Sequence, residues 1–157
     1  MGTKTKILYV DDEENNLVSF KACFRIKYNV YIAISANVAL EILDKNPDIQ
    51  VVITDQRMPE ITGVEFLKLL IEKYPNPIRI MLTGFANFAD TVDAVNMGKI
   101  FNYLNKPWEE KTLDETIQKA IAKFTEEDFI RKRAEQTEKA ERSADQMEFI
   151  LRQELLS

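Results

Sequence analysis

Ile49-Gln50-Val51-Val52-Ile53-Thr54-Asp55 is the stretch that decides how this chain folds. Across Ile49–Thr54 five of six residues are apolar or β-branched, and the run ends on a carboxylate. Such a run predicts a central strand covered on both faces, as strands of parallel sheets are. Parallel neighbours need long crossovers, usually helical, so helices and strands should alternate on either side of it.

Upstream, Lys6-Ile7-Leu8-Tyr9-Val10 reads as a buried strand that runs into Asp11, Asp12, Glu13 and Glu14. A helix follows over 15–27, with Leu17, Phe20 and Phe24 at helical spacing, then a strand over Val30–Ile34. The next helix, 37–45, turns Val38, Ile42 and their neighbours inward and stops at Asn46-Pro47. Downstream of Asp55, the loop Gln56-Arg57-Met58-Pro59-Glu60-Ile61-Thr62-Gly63 leads to a helix over 64–73 that is stopped by Tyr74-Pro75. Ile78–Leu82 is a fourth strand, ending at Thr83-Gly84. A fourth helix is expected over 88–97 with Gly98 suited to its C-cap, then a fifth strand over Ile100–Leu104. The fifth helix, 109–124, carries Leu113, Ile117, Ala120, Ile121 and Phe124 on one face. Five strands alternating with five helices predict a doubly wound α/β domain.

Composition narrows the chemistry. The chain has 157 residues, 45% of them hydrophobic with nine Phe, enough for one domain core plus an appendage. It has no His and a single Cys23, which excludes Ser-His triads, His bases, the usual zinc sites and an internal disulfide. A net charge of -5 gives no electrostatic footprint for nucleic acid, so DNA binding by this chain alone is not expected. The opening residues have neither a signal peptide's apolar stretch nor a membrane span, which places the protein in the cytoplasm as an expectation.

In a doubly wound sheet, ligands gather at the carboxyl ends of the strands. Those ends carry Asp11-Asp12-Glu13-Glu14, Asp55, Thr83 and Lys106-Pro107. Two carboxylates about 4 Å apart repel by roughly 4 kcal/mol at an effective dielectric near 20, so an acidic cluster there calls for a cation. Oxygen ligands without His or Cys select a hard ion, and Mg²⁺ is the candidate. An Asp carboxylate can serve as nucleophile toward phosphorus, with a metal and an ammonium neutralising the equatorial oxygens. Taken singly, an Asp in a loop serves as a turn or cap, a Thr bonds locally and a Lys-Pro is a solvated turn. Their joint placement at four strand ends points instead to phosphoryl chemistry.

The pattern resembles the receiver domain of two-component response regulators over Lys6 to about Phe124. The residues that carry the resemblance are Ile7-Leu8-Tyr9-Val10-Asp11-Asp12-Glu13, then Thr54-Asp55-Gln56-Arg57-Met58-Pro59 with Gly63 eight residues after Asp55, Leu82-Thr83-Gly84, and Tyr103-Leu104-Asn105-Lys106-Pro107-Trp108. The resemblance implies a flavodoxin-like fold of strand order 2-1-3-4-5. It implies Asp55 as phosphoacceptor, Asp12 as direct Mg²⁺ ligand, Asp11 acting mainly through water, and the backbone carbonyl of Arg57 as a further ligand. Thr83 would bond the phosphoryl oxygens, Lys106 would pair with them, and Tyr103 would swing inward when Thr83 moves. The implied partners are a sensor histidine kinase or phosphotransfer protein. A second copy could associate through the face of the fourth helix, fifth strand and fifth helix, or through the C-terminal helix. By the same resemblance Arg57 and Phe85 would flank the water route to the phosphoryl group, and Gly84 would either leave room for donors or serve only as a turn glycine. A Lys-Pro-Trp ending is similar to that of receivers joined to cyclic-dinucleotide phosphodiesterase or other enzymatic outputs, and Trp108 packing at the start of the fifth helix is the bland alternative.

Residues 125–157 hold no Gly or Pro and nearly half are charged, so a helical extension of up to about 50 Å is expected beyond a receiver unit over 1–124. Ala140, Ala144, Met147, Leu151 and Leu155 recur at spacings of four, three, four and four, a thin stripe suited to a coiled-coil linker or to a solvated spacer. Two rival functions remain. A Mg²⁺-dependent phosphatase with an Asp nucleophile would place a second Asp two residues later, where this chain has Arg57. A degenerate receiver acting as an interaction module through its C-terminal helix would not need Asp12, Asp55, Thr83 and Lys106 together.

Overall fold

The structure, a computed structural model, describes residues 3–84 and 100–156. The expected helix over 88–97, its Gly98 cap and Phe85 lie outside the described residues. The chain divides into two units, Met1–Phe124 and Thr125–Ser157.

In the first unit the strands are β1 (Lys6–Val10), β2 (Asn29–Ala33), β3 (Val51–Asp55), β4 (Ile78–Thr83) and β5 (Asn102–Asn105). They form one sheet of order β2-β1-β3-β4-β5, parallel at every pairing. The described helices are α1 (Glu14–Phe24), α2 (Ala36–Lys45), α3 (Gly63–Lys73) and α4 (Glu110–Leu156), the last being the fifth helix of the sequence pattern.

Because successive strand residues point to opposite faces, β1 and β3 feed two cores at once. Ile7, Tyr9, Val51 and Ile53 join Leu17, Phe20 and Phe24 of α1 and Leu113, Ile117 and Ala120 of α4. Leu8, Val10 and Val52 join Ala36, Ala39 and Leu43 of α2 and Phe66, Leu67 and Leu70 of α3. Each fully buried aliphatic or Phe side chain contributes about 1.5–3 kcal/mol, so these two layers hold the strand ends in place.

The helix starts follow capping chemistry. The Ser35 hydroxyl accepts from the Val38 amide at 3.2 Å, and the Thr62 hydroxyl from the Glu65 amide at 3.2 Å. On α2 the inward face holds Val38 and Ile42, partly buried against the core, together with their neighbours Ala39 and Leu43 and with Ala36, which are buried. Within β4, Arg79 is buried in an otherwise apolar strand, its guanidinium donating to the carbonyls of Pro75 and Pro77. In the second unit α4 continues as helix to Leu156, in keeping with the expected extension.

Candidate functional site

β1 and β3 are neighbours, with Val10 opposite Thr54, so their carboxyl ends deliver Asp11 and Asp55 side by side. Asp11 is fully buried and Asp55 nearly so, while Asp12 is half-buried. Carboxylate oxygens of Asp11, Asp12 and Asp55 all lie within 4.8 Å of one another. Lys106, directly after β5, puts its Nζ 2.8 Å from Asp11 Oδ2 and 3.2 Å from Asp55 Oδ2. Its backbone amide donates to the Thr83 carbonyl at 2.8 Å, which ties the Lys106 turn to the end of β4.

Asp11 is held by more than Lys106. The Tyr9 hydroxyl donates to Oδ2 at 2.6 Å, the Asn16 amide to the same oxygen at 3.1 Å, and the Glu13 backbone N–H to Oδ1 at 2.9 Å. Burial works to raise the Asp11 pKa, but the Lys106, Tyr9 and Glu13 hydrogen bonds outweigh it and keep the carboxyl below its ordinary value. For Asp55 the balance reverses. Burial pushes its pKa up, the charge of Lys106 opposes that, and the Asp11 carboxylate adds to the rise. Burial by itself would lower the Lys106 pKa, yet the two carboxylates hold it above the ordinary value. Burial, with the bond to Asp11, also pushes the Tyr9 phenol far up, so it remains a donor.

Among the described residues, three carboxylates against the Lys106 ammonium leave the cluster short of positive charge. The donor set is all oxygen, which suits a hard divalent cation and fits Mg²⁺.

The loop after β3 is shaped by Gly63. A Cβ there would collide with the Asp55 carbonyl oxygen and crowd Gln56 Cα at 3.0 Å, so only glycine lets the start of α3 lie against the end of β3. Gln56 closes the contact, its carbonyl accepting from the Gly63 amide at 2.9 Å and its side-chain oxygen from the Val64 amide at 3.0 Å.

A model of the response regulator receiver domain matches residues 7–118. The chain belongs to that family. The hydrogenase transcriptional regulatory protein HoxA of Cupriavidus necator is 35% identical over 115 residues, covering 73% of this chain and 24% of HoxA. The signal receiver domain of an HD domain-containing protein from Pseudomonas fluorescens Pf-5 matches with a TM-score of 0.76 at 28% identity, covering 81% of this chain and 93% of that one. A beryllofluoride-activated NtrC4 receiver domain, solved as a dimer in solution, matches with a TM-score of 0.70 at 27% identity, covering 76% and 98%. The chain spans about a quarter of the length of the first curated relatives it matches.

Within this receiver domain the residues singled out by sequence fall as follows. Asp11, Asp12, Asp55 and Lys106 come together in one cluster. Thr83 is buried at the end of β4, one residue beyond the position paired with Asp55. Arg57 has an exposed side chain, and its backbone N–H hydrogen-bonds to the Asp55 carboxyl. Tyr103 is half-buried on β5 and packs against the α2 and α3 layer. A Cβ at Gly84 meets no described atom. Trp108 packs at the head of α4, its ring centroid 6.1 Å from Phe20 and 5.9 Å from Phe24. Tyr9, Asn16 and Gln56 drew no role from sequence. The readable signal for Tyr9 is a hydroxyl inside an otherwise aliphatic strand, two residues before the acidic cluster.

Proposed function

We propose that this receiver accepts a phosphoryl group on Asp55 from a sensor histidine kinase or phosphotransfer protein and changes conformation to control a downstream output. The observation that carries it is the gathering of Asp11, Asp12 and Asp55 within 4.8 Å, with Lys106 paired to both buried carboxylates. An Asp55 oxygen forms the new bond to phosphorus while the bond from phosphorus to the donor breaks, and the donor departs with that electron pair. Lys106 then leaves its carboxylate partners for the phosphoryl oxygens, and the Thr83 hydroxyl donates to another of them. Asp12, Asp55, the Arg57 carbonyl and, mainly through water, Asp11 would hold Mg²⁺. Bound there, the ion supplies charge neutralisation for the transferring group.

Drawing Thr83 toward Asp55 frees space that Tyr103 fills, which alters the face around β5. About 5.5 kcal/mol of differential interaction takes a two-state element from 1:99 to 99:1, within reach of a few charge-assisted bonds to a new dianion. This is regulation and not turnover: the chemistry is self-phosphorylation and autodephosphorylation. Residues 1–124 form the phosphoacceptor unit, and 125–157 form a charged helical extension. No helix among the described residues is long and apolar enough to cross a membrane, which supports a cytoplasmic setting.

We further propose that a second copy pairs along the extension. Met147, Leu151 and Leu155 are 59%, 54% and 86% exposed on the stripe that begins at Ala140 and Ala144. Charges off that stripe are already matched within the helix, as in Arg142–Glu138 and Arg152–Glu148. That a similar receiver is a dimer adds support.

The test is intact mass after incubation with a small-molecule phosphodonor and Mg²⁺, beside Asp55→Asn. One added phosphoryl, absent in the variant and without metal, is expected. No addition under conditions that phosphorylate a control receiver would overturn the reading in favour of a purely structural module.

A further inference from the structure

We propose that Tyr9 is a positioning residue of the cation site, its hydroxyl fixing the Asp11 carboxylate in the orientation that metal binding uses. The inference rests on the reading of the acidic cluster as a Mg²⁺ site.

An ionised carboxylate has about four lone-pair positions. At Asp11 three donors converge on Oδ2, from Tyr9, Asn16 and Lys106, and one reaches Oδ1, from the Glu13 amide. Oδ2 is therefore committed to the protein, and the spare capacity lies on Oδ1. The donors on Oδ2 are not equivalent. Lys106 is shared with Asp55, and in the proposed reaction it moves to the phosphoryl group. Asn16 is shared with Glu13 Oε2 at 3.2 Å. The Tyr9 hydroxyl makes the shortest of the bonds and is the donor whose place is fixed independently of the site. Its ring is fully buried and stacked on Phe20, with centroids 4.4 Å apart and planes 21° from parallel. Phe20 is itself in ring contact with Phe24 and Trp108. The aromatic layer between β1 and α1 thus fixes where the hydroxyl sits, and the hydroxyl fixes Asp11 when Lys106 departs.

A purely structural account is that Asp11 only satisfies a buried phenol. Tyr28 provides the comparison, since its hydroxyl donates to Asp114 at 2.5 Å away from the acidic cluster. Mg²⁺ alone is titrated calorimetrically into the full chain, as wild type, Tyr9→Phe and Tyr28→Phe, with circular dichroism confirming that each is folded. Loss of an outer hydrogen bond to a metal-binding carboxylate typically weakens affinity by 10- to 100-fold, so Tyr9→Phe should raise the Mg²⁺ Kd by about 10-fold. Tyr28→Phe should leave it unchanged. An unaltered Kd in Tyr9→Phe would overturn the role of Tyr9, as would equal shifts in both variants, which would mark a general effect of loosening the core. A wild type that binds no Mg²⁺ would overturn the metal site itself, and the inference with it.

Discussion

Lys106 Nζ lies 2.8 Å from Oδ2 of Asp11, a carboxylate with no solvent exposure, and the pair joins the turn after β5 to the end of β1. The two strands are separated in the sheet by β3 and β4, so this contact reaches across the carboxyl edge and closes over Asp55. One ammonium cannot balance three carboxylates. That imbalance is what the proposed Mg²⁺ would relieve, and under the same proposal Lys106 already stands beside the carboxylate that takes the phosphoryl group.

Removing the ammonium exposes this dependence. Lys106→Met leaves Asp11 and Asp55 buried without a counter-charge, which should lower stability in chelator-treated buffer by about 2–3 kcal/mol. If Mg²⁺ binds the folded site as proposed, it should restore part of the loss by mass action. Urea midpoints of wild type and variant, with and without Mg²⁺, check both effects. A variant as stable as wild type without metal would show that Lys106 is not the compensating charge.

The opposite result is expected at Asp55. Its folded pKa is raised, so the ionised carboxylate destabilises the metal-free fold at neutral pH, a cost relieved as falling pH protonates the folded state first. Asp55→Asn should therefore raise the urea midpoint at pH 7 in chelator. Its advantage should shrink as pH falls through the raised Asp55 pKa toward the ordinary carboxyl value near 3.9. Asp11 works the other way. Its folded pKa is lowered, so its contribution is present above the unfolded value and is lost as pH falls through the folded one. Midpoints for both proteins at pH 7 and pH 4 separate the two carboxylates.

Gly63 gives a prediction about shape. In a helix an alanine is favoured over glycine by about 1 kcal/mol, and overpacking costs about 1–3 kcal/mol. Here the obstacle to a Cβ is the Asp55 backbone rather than a yielding side chain, so the clash should win. Gly63→Ala is expected to lower stability by about 1 kcal/mol or more, and to slow phosphorylation of Asp55 by displacing its strand end. A stabilised variant with normal phosphorylation would mean that the loop relaxes freely.

Much of this was readable from residue order alone. The buried runs Ile7–Val10 and Val51–Ile53 announce strands covered on both faces, and Asn46-Pro47 and Tyr74-Pro75 mark where helices stop. The acidic and basic ends fell where the sheet topology put them. Side-chain partnerships were less legible. Arg79 sits in β4 with its guanidinium on the carbonyls of Pro75 and Pro77, four and two residues before it, a local arrangement that no hydrophobic period announces. In α2 the periodicity marks the inward face, while the deeper burial of Ala36, Ala39 and Leu43 within it depends on how the helix sits on the sheet. Tyr9 looks like one more core residue until the Asp11 oxygen is placed beside its hydroxyl.

The extension offers the last prediction. A parallel, in-register pair sets Ala140 against its own equivalent, since both helices then present the stripe at the same height. In an antiparallel pair centred on the stripe, position 140 meets position 155 of the other copy and lies about 22 Å from its equivalent, at 1.5 Å per residue. A disulfide requires Cα atoms within about 7 Å, so it reads the difference directly. In a Cys23→Ser background, which removes the exposed native thiol, Ala140→Cys should give a covalent dimer on mild oxidation. Parallel pairing is favoured because Met147, Leu151 and Leu155 crowd the C-terminal end of the stripe, and only that arrangement brings both copies' apolar ends together. A dimer formed by Ala140→Cys with Leu155→Cys in one chain, but by neither change alone, would establish the antiparallel arrangement. A chain that stays monomeric throughout would leave the extension a solvated spacer and remove the helix from the dimer proposal.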